Sequence, residues 1–123
     1  MNDRDAIERA ALDYYEGWFE GDAARMERAL HPGLAKRCIV HSEDGTEELN
    51  HTSAKEMIDA TAEGIGRSRD VPDRGIRVEI DHVYGDIASV TVLSHVYGAE
   101  YVHVARTEEG WKIVNVLWTP REA

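Results

Sequence analysis

The last apolar run of the chain, residues 110–118, has the two-residue period of a strand and is apolar on both sides. Its two faces would be Trp111, Ile113, Asn115 and Leu117 on one side and Lys112, Val114, Val116 and Trp118 on the other. A strand with one face in water alternates apolar and polar residues, so this pattern predicts a sheet that is covered on both faces. One cover would be the chain's own helices, and the other would be a partner or a second layer.

The first half of the chain has the pattern of helices. Asn2 or Asp3 can cap a first helix, which Gly21 would end, and Asp22 can cap a second helix over about 23–30. The first helix would present a broad apolar stripe of Ile7, Ala10, Ala11, Tyr14, Tyr15 and Trp18. The proline at position 32 disfavours helical geometry at the preceding residue, so the helical hairpin should end there.

The rest of the chain has one more helix and the pattern of several strands. After a short strand at 35–42, the capping box of Ser53 and Glu56 starts a third helix. Four strand candidates follow, joined by short turns that contain glycine: 76–84, 87–97, 100–107 and 111–118. Helices followed by a meander predict an α+β fold, a curled antiparallel sheet wrapped around three helices, in a single domain spanning residues 1–123.

Charge and composition exclude several classes of function. The net charge of −10 argues against nucleic acid as a partner, and no run of about 18 apolar residues is present to span a membrane. Residues 1–5 lack the pattern of a signal peptide, so we expect a cytoplasmic protein. The six histidines and the single Cys38 show no metal-ligand spacing, and no phosphate loop or nucleophile elbow occurs. We therefore expect no metal and no cofactor.

The turns predict the register of the meander. With loops at 85–86, 98–99 and 108–110, one row across the four strands reads Arg77, Ser94, His103 and Asn115. This row would face the helices, together with Asp81 and Tyr101. A single β-bulge would exchange the two faces of every strand that follows it.

The same row is the candidate site. A neutral imidazole at His103 beside the amide of Asn115 can orient a ligand carbonyl or hold a water for general-base attack, and Asp81 is a second candidate base. The predicted catalytic residues are therefore His103 and Asp81, and the predicted ligand-binding residues are Tyr14, Trp18, Ser94, Tyr101 and Asn115. In the alternative interpretation, the imidazole and the amide satisfy each other and the helix aromatics are ordinary core residues.

The opposite face of the sheet is the candidate interface. Its mixture of aromatic, aliphatic and small polar groups suits a contact between proteins. The predicted homodimer interface consists of Leu93, His95, Tyr97, Val102, Val114, Val116 and Trp118.

Several short motifs together resemble those of a known superfamily. They are Tyr14-Tyr15-Glu16-Gly17 with Gly21-Asp22, then His31-Pro32, Gly85-Asp86-Ile87-Ala88-Ser89-Val90 and Gly110-Trp111-Lys112-Ile113-Val114-Asn115. With them the chain resembles the nuclear transport factor 2-like superfamily, and within it is most similar to the putative lumazine-binding family and its relatives, the polyketide cyclases. Many relatives carry an acidic residue after His-Pro, where this chain has Gly33.

The resemblance implies a cone-shaped roll, a pocket between the first helix and the concave face of the sheet, and dimers formed through the outer face. It implies no single activity, because this fold carries many. Our primary hypothesis is a protein that binds a small, largely apolar organic molecule. One alternative is an isomerase, cyclase or dehydratase with a His or Asp base and a Tyr or Asn donor. The other is a dimerisation module whose pocket is filled by its own side chains.

Overall fold

The computed structural model describes residues 2–121, in which helices pack against one face of a six-stranded sheet. The helices are α1 (Asp3–Glu20), α2 (Ala23–Ala29) and α3 (Ala54–Ala62), with a 3₁₀ turn at Arg67–Arg69. The strands are β1 (Leu30–His41), β2 (Glu47–Thr52), β3 (Arg77–Tyr84), β4 (Ile87–Ser94), β5 (Gly98–Thr107) and β6 (Gly110–Trp118). None of the helices in this part of the chain is long and apolar enough to cross a membrane.

Local side chains set the ends of the helices as predicted. The side chain of Asn2 accepts a hydrogen bond from the backbone at the start of α1, and Gly21 ends this helix with a left-handed φ of 69°. Asp22 caps α2, and the reciprocal capping box of Ser53 and Glu56 starts α3. The three predicted helices are therefore confirmed, but β1 begins at Leu30, five residues before the strand predicted at 35–42.

The strand order is β2-β1-β6-β5-β4-β3, and the α+β class is confirmed. One detail of the prediction is wrong: β1 and β6 run parallel, so the sheet is mixed and not wholly antiparallel. Strand β2 was not predicted, because its residues are mostly polar and its side chains are exposed or half-buried, which leaves no apolar alternation to detect.

The loop between β4 and β5 differs from the prediction and changes the register. Strand β4 ends at Ser94 and the loop is 95–97, so Ser94 pairs with Gly98 and not with His103. The shift is five residues along β5, and an odd shift exchanges the faces of a strand. Ser89 is the residue that pairs with His103.

Two bulges bend the sheet further. Between β5 and β6 the register changes after the pair of His103 and Asn115, so Trp111 and Ile113 face the helices while Asn115 faces away. Between β3 and β4 the register changes at Asp81. The predicted pairing of His103 with Asn115 is therefore confirmed, but on the face opposite to the one predicted.

A buried carboxylate ties α1 to α2. Asp13 accepts hydrogen bonds from Arg25 at 3.0 Å and from Arg28 at 3.0 and 3.2 Å. Burial alone would raise the pKa of Asp13, but the hydrogen bonds from Arg28 and Arg25 outweigh it and hold this pKa below its ordinary value. The hairpin that carries the aromatic face of α1 is thus fixed by one acid and two guanidinium groups.

Replacing this acid tests its contribution to the fold. Asp13→Asn should lower the free energy of unfolding by about 1–3 kcal/mol, because a buried amide replaces the charged acceptor of Arg25 and Arg28, while Arg25 keeps its ion pair with Glu16 at 2.8 Å. The control Glu8→Gln removes a charge from the exposed side of the same helix and should change stability by less than about 0.5 kcal/mol. Urea unfolding at neutral pH measures both variants.

The same substitution has a pH signature. The pKa of Asp13 is lower in the folded protein than in the unfolded chain, where it is 3.8. The stabilisation that Asp13 contributes is therefore complete above pH 3.8 and is lost as the pH falls through the pKa of the folded state. The stability difference between wild type and Asp13→Asn should therefore shrink when the pH is lowered from 6 to 3. A difference that is constant over this range would contradict the assignment.

Candidate functional site

A cavity of about 220 Å³ lies between α1 and the sheet and is bordered by α3. It is lined by Tyr14, Tyr15, Trp18, Lys36, Thr52, Met57, Ala60, Ile65, Arg69, Tyr97, Glu100 and Trp118. It is smaller than the roughly 300–1,000 Å³ of pockets that hold drug-sized ligands. Its size suits a molecule of one or two rings.

One wall of the cavity is built from aromatic side chains that are fixed by one another. The indole N–H of Trp18 donates to the hydroxyl of Tyr97 at 2.7 Å. The ring of Tyr97 stacks on Phe19 at 5.8 Å between centroids and meets Trp118 edge-on at 6.4 Å. These contacts join α1, the β4–β5 loop and β6 into one apolar surface.

The backbone at Gly66 approaches this wall closely. A Cβ at this position would lie 2.5 Å from the ring atom Cδ2 of Trp18, closer than side-chain carbons pack. Only glycine therefore fits here without displacing the indole.

Two charged side chains lie inside the cavity. Lys36 and Glu100 are 9% and 4% exposed, and the ammonium group of Lys36 contacts the hydroxyl of Tyr14. Burial lowers the pKa of Lys36, and the negative charge of Glu100 offsets part of this effect. Charged residues are rarely buried this completely, so the pair marks the cavity as chemically distinct from the core.

Two buried polar atoms of the cavity have no hydrogen-bond partner among residues 2–121: the hydroxyl of Tyr15 and Oε1 of Glu100. Burial and the charge of Glu100 raise the pKa values of Tyr14 and Tyr15 well above the ordinary value, so both hydroxyls remain protonated donors. An orphaned donor and an orphaned acceptor in one cavity can both be satisfied by a polar ligand.

The structure distributes the predicted ligand-binding residues over two faces. Tyr14 and Trp18 line the cavity as predicted. Ser94 is buried, but its hydroxyl accepts a hydrogen bond from the backbone N–H of Tyr97 at 3.0 Å and so holds the β4–β5 loop. Tyr101 is 59% exposed on the outer face, so its predicted position inside is wrong because of the register shift in β5.

The predicted catalytic residues also lie on the outer side of the sheet. His103 is exposed, and its Nδ1 accepts a hydrogen bond from the side-chain amide of Asn115 at 3.2 Å. Asp81 is exposed at the bulge of β3 and accepts a hydrogen bond from the hydroxyl of Thr91 at 2.7 Å. The prediction that these side chains face the helices is wrong, because the shifted loop and the bulges exchange the faces.

Most of the predicted interface residues face the interior for the same reason. Val102 and Val116 are fully buried in the core, and Tyr97 and Trp118 line the cavity. His95 is exposed in the loop, where its Nδ1 lies 3.1 Å from a backbone oxygen of the 66–76 segment. Leu93 and Val114 are half-buried, and Val114 borders a shallow groove on the outer face.

Sequence reasoning missed Lys36 and Glu100. A period of two was the available signal: Lys36 lies two residues from the buried Leu34 and Cys38 and therefore on the same face of β1. In β5, Glu100 lies on the same face as the buried valines at 102 and 104. Val102 was predicted to lie on the outer face, so Glu100 could not be recognised as an interior residue. Lys36 can be recognised as buried only if Leu34 and Cys38 are first assigned to the interior.

Comparisons with known proteins agree with this architecture. The family described as putative lumazine-binding matches residues 2–119 of the chain. An NTF2-like protein of unknown function from Silicibacter pomeroyi is 21% identical, with a TM-score of 0.69 over 98% of this chain and 100% of the other. One from Shewanella baltica is 15% identical, with a TM-score of 0.71 over 98% and 94%.

A structure from Streptomyces avermitilis described as a putative dehydratase of the NTF2-like family is 17% identical, with a TM-score of 0.65 over 99% of this chain and 100% of the other. At these identities the likeness concerns the fold alone. No curated protein matches the sequence.

A double-mutant cycle tests whether the two buried charges act as a pair. Lys36→Met and Glu100→Gln should each lower the free energy of unfolding by about 2–4 kcal/mol, because each leaves the other group buried without its opposite charge. The double variant should be more stable than the sum of the single effects predicts, by about 1–3 kcal/mol. Strict additivity in urea unfolding would show that the two groups do not interact.

Proposed function

The chain belongs to the putative lumazine-binding family of the nuclear transport factor 2-like superfamily, and on this premise we propose that it binds a small aromatic molecule in the cavity between α1 and the sheet. The observation that carries the proposal is the aromatic cavity with unpartnered polar atoms at Tyr15 and Glu100. Binding pockets combine an apolar lining with a few fixed polar groups in this way.

The polar groups define what the ligand should carry. Lys36 and Tyr15 offer donors, so the ligand should bring an acceptor such as a carbonyl or hydroxyl oxygen. Oε1 of Glu100 offers an acceptor, so the ligand should also bring a donor. The aromatic walls at Trp18 and Trp118 would stack against the rest of the molecule.

The cavity supports binding better than the alternative of a dimerisation module with a filled pocket. A module of that kind would have side chains in the space of about 220 Å³ that remains here. It would also have no use for a lysine and a glutamate in its interior, where two apolar residues of similar volume in place of both are often at least as stable.

An enzymatic function is the second candidate. Glu100 is a buried carboxylate with an uncommitted oxygen next to two protonated tyrosines, the combination that proton transfer on a bound carbonyl compound requires. The base would then be Glu100, in place of His103 or Asp81, with Tyr14 or Tyr15 as the donor. The similar Streptomyces structure described as a putative dehydratase is consistent with a reaction of this class.

Filling the cavity tests the binding proposal. Trp18 and Trp118 line the cavity, so their fluorescence should change when 4-hydroxybenzyl alcohol is added. Ala60→Phe should weaken binding by at least about tenfold, because the new ring occupies the space of the ligand. The matched control Ala62→Phe lies on the exposed side of the same helix and should bind like the wild type. Equal affinity in both variants, or no response in the wild type, would contradict the proposal.

We also propose that the outer face of the sheet joins two copies of the chain. Large apolar side chains exposed on this face include Tyr84, Ile87, Tyr101 and Leu117. Between them β4, β5 and β6 present the uncharged side chains Ser89, Thr91, His103 and Asn115. A chain with a net charge of −10 repels its own copies, so this patch, which carries charged groups at its borders, such as Asp81 and Arg37, is where two of them can meet.

Charges placed in this patch test the dimer. We expect the wild type to be a dimer by light scattering at micromolar concentration, and Tyr101→Asp with Leu117→Asp to be monomeric, because a two-fold interface would bury four new carboxylates. The control Glu108→Lys with Glu109→Lys changes charges at the exposed β5–β6 turn and should remain dimeric. A monomeric wild type would refute the dimer.

A further inference from the structure

Lys36 differs from the other two lysines of the chain in its surroundings. Lys55 forms an ion pair with Asp59 at 2.7 Å, and Lys112 donates to a backbone oxygen at 2.6 Å, both at exposed positions. No carboxylate oxygen within residues 2–121 comes within 4.0 Å of Nζ of Lys36. Its side chain instead ends inside the cavity, where a bound molecule would meet it.

The groups around Nζ suit an amine that reacts. The nitrogen contacts the hydroxyl of Tyr14 and lies 5.0 Å from the centre of its ring and 5.4 Å from that of Trp118. Burial lowers the pKa of Lys36, which increases the fraction of neutral, nucleophilic amine. The aromatic faces that stabilise a cation at this point would equally stabilise a protonated imine, which carries the same charge at the same nitrogen.

We propose that Lys36 forms a reversible imine with a small aromatic aldehyde or ketone held in the cavity. This inference rests on the proposed binding function and names the ligand class, an aromatic carbonyl compound. The ligand should carry a ring, because the cavity is small and lined by aromatic side chains. It should carry a carbonyl group, because Nζ of Lys36 ends inside the cavity.

The reaction balances with the groups that are present. The amine adds to the carbonyl carbon and forms the C–N bond, while Tyr14 passes one proton from the nitrogen to the oxygen. Glu100 then takes the remaining N–H proton through the hydroxyl of Tyr14, which contacts Nζ, and returns it to the new hydroxyl group, which leaves as water as the C–O bond breaks and the C=N bond forms. Both side chains are regenerated, and no oxidant or reductant is consumed.

Reductive trapping tests the proposal in the wild-type protein. 4-Hydroxybenzaldehyde is added with sodium cyanoborohydride at neutral pH, and the modified lysines are mapped by mass spectrometry of peptides. Labelling at Lys36 should exceed that at Lys55 and Lys112 by at least about tenfold, because the cavity holds the aldehyde beside one amine only. Equal labelling of the three lysines, or preference for an exposed one, would overturn the proposal.

Two variants sharpen the result. Lys36→Arg keeps the positive charge but cannot form an imine, so the dominant label should disappear while the low labelling of Lys55 and Lys112 persists. Tyr14→Phe keeps the ring and removes the proton relay, so labelling at Lys36 should become slower. Unchanged labelling in Tyr14→Phe would remove the relay from the mechanism.

A second ligand separates this inference from the binding proposal. 4-Hydroxybenzyl alcohol has the same ring but no carbonyl group, and its binding is read from tryptophan fluorescence. If the alcohol binds and Lys36 is not labelled by the aldehyde, the imine is refuted and the binding function stands. If neither molecule binds, both proposals fail.

Discussion

The contact of Tyr97 with helix α1 holds the loop that precedes β5 and so fixes where this strand begins. Its hydroxyl accepts the indole N–H of Trp18, and its ring stacks on Phe19. Tyr97 therefore belongs to the loop and not to a strand, and β5 begins at Gly98. The face of every residue in β5 follows from that starting point, including Glu100 in the cavity and His103 on the outside.

This dependence explains what could be predicted from the sequence. Caps such as Ser53 with Glu56 are local, because both partners lie within four residues and the helix they start needs no distant information. The register of β5 depends on a hydrogen bond between residues 79 positions apart, and the bulge after the pair of His103 and Asn115 has no signal of its own. The fold class, the helices and two aromatic cavity residues were therefore predictable, while the polar residues of the cavity were not.

The two faces of the sheet differ in the kind of interaction they offer. The inner face is apolar apart from a few side chains, and Lys36 and Glu100 cost folding free energy there that Leu34 or Val102 do not. The outer face is uncharged over its centre and carries exposed aromatic and aliphatic groups. The apolar character of both faces of β6, evident in the sequence, thus has two origins: a core on one side and an uncovered surface on the other.

The position of β6 has a consequence for how the chain reaches its folded state. It is the last of the six strands in the sequence, yet it lies between β1 and β5 near the middle of the sheet. Until it is synthesised, the two-stranded unit β1–β2 and the meander β3–β4–β5 have no strand to join them. The sheet is therefore completed by a single late insertion that closes contacts between distant parts of the chain, and a topology of this kind folds slowly and mostly after synthesis.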